Sequence, residues 1–241
     1  MRNDYLYVNN GDGTFRQELE KSIPHTSRFS MGNDIADINN DGWQDIITLD
    51  MQPREEKIIK ASAGEDPFEI FQFKLQFGYH YQATRNTLQL NRGETPDGSL
   101  AFSDIAGLAG VEATDWSWSP LLADFDNDGY RDSLIANGIL KRPNDLDYIN
   151  YISSDSAQRF FTDQQLIDRM PEGKVPNYFF KNNGALTFSE VTDSWIGIKS
   201  GLSNGAAYAD LDQDGDLDLV INNVNDVASI LRNDLPSSND V

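Results

Sequence analysis

Apolar residues in this chain come in short runs broken by turn signals, and the runs are too brief and too β-branched to read as helices. Ile46-Ile47-Thr48-Leu49, Ser133-Leu134-Ile135-Ala136 and Leu217-Asp218-Leu219-Val220-Ile221 have the character of buried strands. Ser119 to Ala123 and Gly205 to Ala209 read as short strands just ahead of the second and third of these. No run approaches the roughly 18 apolar residues that span a bilayer, so the chain is expected not to cross a membrane. The start, Met1-Arg2-Asn3-Asp4-Tyr5, lacks the apolar stretch of a secretion signal. If the protein is exported, its signal lies upstream of residue 1.

What joins the strands is one acidic loop written three times: DINNDGWQD from Asp37, DFDNDGYRD from Asp124 and DLDQDGDLD from Asp210. Oxygen-bearing side chains at places one, three, five and nine, with glycine at place six, suit a hard divalent cation, and calcium is the first expectation. Gly42, Gly129 and Gly215 permit the sharp bend, and place seven can add a backbone carbonyl. The expected ligands are therefore Asp37, Asn39, Asp41 and Asp45 with the carbonyl of Trp43, then Asp124, Asp126, Asp128 and Asp132 with that of Tyr130. The third set is Asp210, Asp212, Asp214 and Asp218 with the carbonyl of Asp216, whose own carboxylate is expected to face water. An EF-hand would need flanking helices and a glutamate at place twelve, where Thr48, Ile135 and Ile221 stand instead. Each loop is thus expected to close a hairpin.

Composition narrows the classes. With 241 residues and 39% hydrophobic content the chain can bury a core. A net charge of -20, with 19 Lys and Arg scattered, argues against nucleic acid as a partner. Twelve of the 39 acidic residues lie in the three loops, and about three Ca²⁺ ions would bring the net to about -14. Without cysteine there are no disulfides or thiolate metal sites.

The repetition extends beyond the loops. Ahead of each lies a strand, an asparagine turn and a second strand: YLYVNNGDGTF at Tyr5 to Phe15, LQLNRGETPDGSLAF at Leu88 to Phe102 and YFFKNNGALTF at Tyr178 to Phe188, with a fourth copy starting at Ile230-Leu231-Arg232-Asn233-Asp234. Asn182 to Asn233 gives a period of 51, whereas Asn9 to Asn91 takes 82 and Asn91 to Asn182 takes 91, so the longer copies carry insertions. The divisions are a first repeat over 1–51, a helical insertion over 52–85, a second repeat over 86–140, a second helical insertion over 141–177, a third repeat over 178–229, and 230–241 as the start of a fourth repeat or a linker. Ile58, Ile59, Phe68, Phe71, Leu75 and Tyr79 predict helix in the first insertion. Leu146, Ile149, Tyr151 and Ile152, then Asp163 to Met170 ended by Pro171, predict two helical pieces in the second. Such insertions either build a binding face or pack over the rim.

Four-stranded units of this length, each with one calcium hairpin, are what β-propeller blades present. The DxDxDGxxD loops, the NNGDGTF and NNGALTF turns and the pattern GxAxxDxDxDG resemble FG-GAP or VCBS repeats, as in the propeller blades of integrin α-subunits. TDWSWSPLLADFDNDGYRD and NGILKRPNDLDYINYI more narrowly resemble bacterial relatives of cartilage acidic protein that carry a UnbV/ASPIC domain. The resemblance implies an all-β fold with helical insertions, a partial β-propeller of about three FG-GAP/VCBS blades whose calcium ligands fall on the loop positions named. It says far less about activity; the first function class is a non-catalytic extracellular, cell-surface or periplasmic module for recognition or adhesion, of protein or glycan. Such propellers usually close with about seven blades, so the chain reads as a fragment whose open edges invite self-association.

Plainer readings stand beside these. The loops could be solvated turns, or bind calcium only to brace the hairpins. Trp43, Trp116 and Trp118 could form a sugar-stacking surface or pack as strand-edge aromatics, and His25 and His80 have no metal-ligand spacing. A polysaccharide-active enzyme or its accessory domain, using acidic pairs such as Glu55 with Glu56 or Asp145 with Asp147, is the alternative function. GxSxG, P-loop and HExxH motifs are all lacking.

Overall fold

The computed structural model describes residues 4–62, 66–197 and 199–235, so 236–241 of the expected fourth repeat and 63–65 of the first insertion lie outside the described residues. The fold is mostly β, built of several antiparallel sheets. Each acidic loop closes a hairpin, as the apolar runs require: Asn33–Ala36 with Asp45–Thr48, Ser117–Ala123 with Asp132–Asn137, and Ser203–Ala209 with Asp218–Asn223.

Each hairpin then pairs forward, with the asparagine hairpin that follows it in the chain. In the first sheet Asp45–Thr48 pairs with Thr87–Glu94 and that with Leu100–Asp104. In the second, Asp132–Asn137 pairs with Tyr178–Asn182 and that with Phe188–Glu190. The third adds Ser229–Leu231, and a separate two-stranded sheet joins Tyr7–Asn9 to Phe15–Gln17. Sheet and sequence repeat are therefore out of phase by one hairpin, and each insertion runs between the second and third strands of a sheet. A period is the same wherever counting starts; only pairing sets the phase. It follows that acidic loops and asparagine turns share one face, while the insertions leave from the opposite one.

The core lies between sheets. Ile47, Leu49, Leu88 and Leu90 of the first sheet meet Leu122, Ile135 and Phe180 of the second. The next residues along the same strands, Leu134 and Phe179, point the other way to meet Leu219 and Ile221. Because side chains alternate, a sheet buried on both faces reads as an unbroken apolar run, which is why Leu134-Ile135-Ala136 carries no polar alternation. The first strands of successive sheets lie side by side, and Leu122 donates its backbone N–H to Asp34 Oδ2 at 2.7 Å. They approach closely at Gly32, where a Cβ would lie 2.1 Å from the carbonyl oxygen of Trp118.

Short helices lie between the second and third strands of the first two sheets. The first insertion has Glu56–Ala61 and Phe68–Gln76, neither with a buried residue. The second has Leu146–Ile152, Asp155–Phe160 and Asp163–Asp168, capped by the side chains of Asp145, Ser154 and Thr162. Three four-residue helices follow the asparagine hairpins at matching places, Leu19–Ser22, Ala106–Ala109 and Thr192–Trp195. These are too short to carry helical periodicity, and sequence patterning misses them.

Candidate metal centres

The three loops fold alike because each first-place carboxylate gathers backbone N–H groups from its own turn. Asp37 accepts from Asp41 and Gly42, Asp124 from Asp128 and Gly129, and Asp210 from Asp214 and Gly215, at 2.8 to 3.2 Å. The place-five carboxylates of Asp41, Asp128 and Asp214 each accept the place-seven N–H, from Trp43, Tyr130 and Asp216. At place six, Gly42, Gly129 and Gly215 have φ of 89, 91 and 99°, a region where a Cβ is strained.

The donor sets differ. In the middle loop the carboxylates of Asp124, Asp126 and Asp128 lie within 4.8 Å of one another, and in the third loop those of Asp210, Asp212 and Asp218 do. In the first loop Asn39 stands at place three, and its Nδ2 donates to Asp41 Oδ2 at 2.9 Å. All-oxygen clusters of this kind fit a hard divalent cation. Asp132 and Asp214 fall outside the two clusters.

The ninth-place aspartates do something the spacing did not reveal. Asp45, Asp132 and Asp218 are buried, and each holds two backbone N–H groups. One comes from place two of its own loop (Ile38, Phe125, Leu211) and the other from the turn asparagine of the same sheet (Asn91, Asn182, Asn233), at 2.7 to 3.1 Å. Burial, reinforced by the neighbouring carboxylates, raises Asp45 and pushes Asp132 up to about 6, despite these bonds. In Asp218 the N–H groups of Asn233 and Leu211 outweigh burial and hold the carboxyl below its usual value.

Neighbouring loops are also tied together. Asn40 Nδ2 donates to the Gly129 carbonyl at 3.0 Å, and Asn127 Nδ2 donates to Asp216 Oδ1 at 2.6 Å. The expectation that the Asp216 carboxylate faces water is thereby corrected: the residue is buried and its carboxylate receives the preceding loop's asparagine. Asn182 Nδ2 donates back to the Ile38 carbonyl at 2.8 Å, and Asn233 Nδ2 to that of Phe125 at 2.6 Å. The sequence marked these asparagines only as turns. Their recurrence beside each loop was the available signal.

A family model for an FG-GAP-like repeat matches residues 2–48 and 167–221. Two stretches of this chain are FG-GAP-like. They contain the first and third acidic loops with the asparagine turns ahead of them, and support placing these repeats in the FG-GAP repeat family. No curated protein matches the chain. The middle loop lies outside both FG-GAP-like stretches, yet has the same first-place, fifth-place and ninth-place hydrogen bonds.

Most of the remaining sequence candidates make packing or hydrogen-bond contacts. Trp43 lies over Gly93 and Tyr130 over Gly184, turn glycines of their own sheets where a Cβ would come within 3.5 and 3.0 Å of the rings. Trp118 Nε1 donates to the Gly138 carbonyl at 2.7 Å. Trp116 lines a cavity with Arg28, Met51 and Pro53 at the base of the insertions. His25 sits 3.0 Å from Asp104, and His80 Nε2 lies 2.8 Å from the Ile23 carbonyl. Asp145 caps its helix and Glu56 pairs with Lys60. Among the described residues no helix is long and apolar enough to cross a membrane.

Proposed function

We propose that this chain is part of a calcium-stabilised propeller, a non-catalytic extracellular, cell-surface or periplasmic module that recognises protein or glycan. The observation carrying the metal reading is a turn fixed the same way three times by backbone N–H groups, with carboxylates converging in the middle and third loops. Calcium acts structurally: it neutralises carboxylates that otherwise repel, and so clamps each hairpin. The ligands would be Asp37, Asn39, Asp41 and Asp45; Asp124, Asp126, Asp128 and Asp132; and Asp210, Asp212, Asp214 and Asp218, with the carbonyls of Trp43, Tyr130 and Asp216. The FG-GAP likeness supports a location outside the cell, and the narrower likeness to relatives of cartilage acidic protein rests on two sequence stretches alone.

Recognition is assigned to the insertion face, opposite the acidic loops. Helix Phe68–Gln76 and its flank leave Phe68, Phe73 and Phe77 more than half exposed, an apolar surface that protein partners favour. The test of the metal is thermal unfolding with chelator and with millimolar calcium. A rise in Tm is expected, since extracellular sites bind at about 10⁻⁴ to 10⁻³ M. Asp128→Ala should remove one ion from the binding stoichiometry; an unchanged count, or no calcium effect on Tm, refutes the assignment.

A further inference from the structure

We infer that Lys181 is a tethered counter-ion that competes with the divalent cation for the middle loop, making that loop weaker for calcium than its four aspartates would otherwise make it. The inference rests on the calcium reading above. Lys181 Nζ donates to Asp126 Oδ2 and, at 2.7 Å, to Asp128 Oδ2, two of the three carboxylates that form the middle cluster. An ammonium against these oxygens engages carboxylates that a metal would need, and it lowers the repulsion that would otherwise favour metal uptake.

The residue just before the turn asparagine sets this in each sheet. In the first it is Leu90, buried in the core and without charge. In the third it is Arg232, whose Nη1 stays 3.9 Å from Asp212 Oδ2 and whose Nη2 pairs with Asp234 at 2.5 Å. Among the described residues, only the middle loop has a lysine bonded directly to places three and five. Lys181 also has somewhere to go when displaced. It lines a cavity of about 600 Å³ between the second and third sheets, with Phe125, Phe179, Trp195 and Leu219 around it to receive its aliphatic stem.

A calcium titration of the wild-type chain by calorimetry, beside Lys181→Met, Lys181→Gln and Asp128→Ala, tests this. Asp128→Ala should remove one site from the wild-type titration, which identifies the middle loop's site. Both lysine variants should tighten that same site about tenfold, the scale expected for removing one partly solvated charge beside the ion. Adding Asp128→Ala to Lys181→Met should abolish the gain. If calcium binds but neither lysine variant tightens a site, the counter-ion role is wrong while the calcium reading stands. If no variant binds calcium at all, both fall.

Discussion

Replacing Asp132 by alanine separates a structural bolt from a metal ligand. The Asp132 side chain is fully buried, with Oδ2 accepting the N–H of Phe125 at 3.1 Å and Oδ1 that of Asn182 at 2.9 Å. Alanine leaves both donors buried without a partner, at about 1 to 3 kcal/mol each. Burial pushes the carboxyl to about 6, so at pH 5 it is mostly protonated and the variant recovers little from no longer burying a charge. The net loss expected at pH 5 in calcium-free buffer is about 2 to 5 kcal/mol, read as a lower urea midpoint with an unchanged slope. Asp128 is partly exposed and its main hydrogen bond stays within the turn, so Asp128→Ala should cost less than about 1 kcal/mol in the same buffer. Asp132→Ala within about 0.5 kcal/mol of the wild type without calcium, but weaker with it, would show place nine to be a ligand alone and refute the reasoning.

Burial also raises the buried Asp50, although Ser27 Oγ and the N–H groups of Arg28 and Phe29 donate to it. A raised folded-state pKa contributes stability that is present below the unfolded value and is lost as pH rises through the folded value. Asp50→Asn should therefore flatten the decline of apo stability with rising pH, and a steeper decline would contradict the burial argument. Gly32→Ala should destabilise by at least about 2 kcal/mol, because its methyl meets the backbone of Trp118 between two packed sheets; a neutral result in chemical denaturation would show that the first strands are less closely packed. Asn127 sits at φ 57°, so Asn127→Gly keeps the backbone while deleting the bond to Asp216. A loss of about 1 to 2 kcal/mol is expected, and an unchanged urea midpoint would deny that the loops are tied.

Strands, hairpins and acidic loops were legible in the sequence because they depend on neighbours close in the chain. β-Branched runs, a glycine at place six and carboxylates at alternate places act within nine residues, and Gly42, Gly129 and Gly215 adopt the φ their position demands. What tertiary structure alone decided depends on partners far along the chain. Which hairpins share a sheet follows from pairing across insertions, as Thr48 opposite Thr87. Asp132 became a bolt because Asn182, 50 residues on, brings a backbone N–H to it, and Asp216 turned inward because Asn127 reaches it from 89 residues away. Lys181 likewise meets Asp126 across 55 residues. Local periodicity encodes the shape of each element, but the charge and hydrogen-bond balance of a loop belongs to whatever packing sets beside it, and no spacing rule contains that.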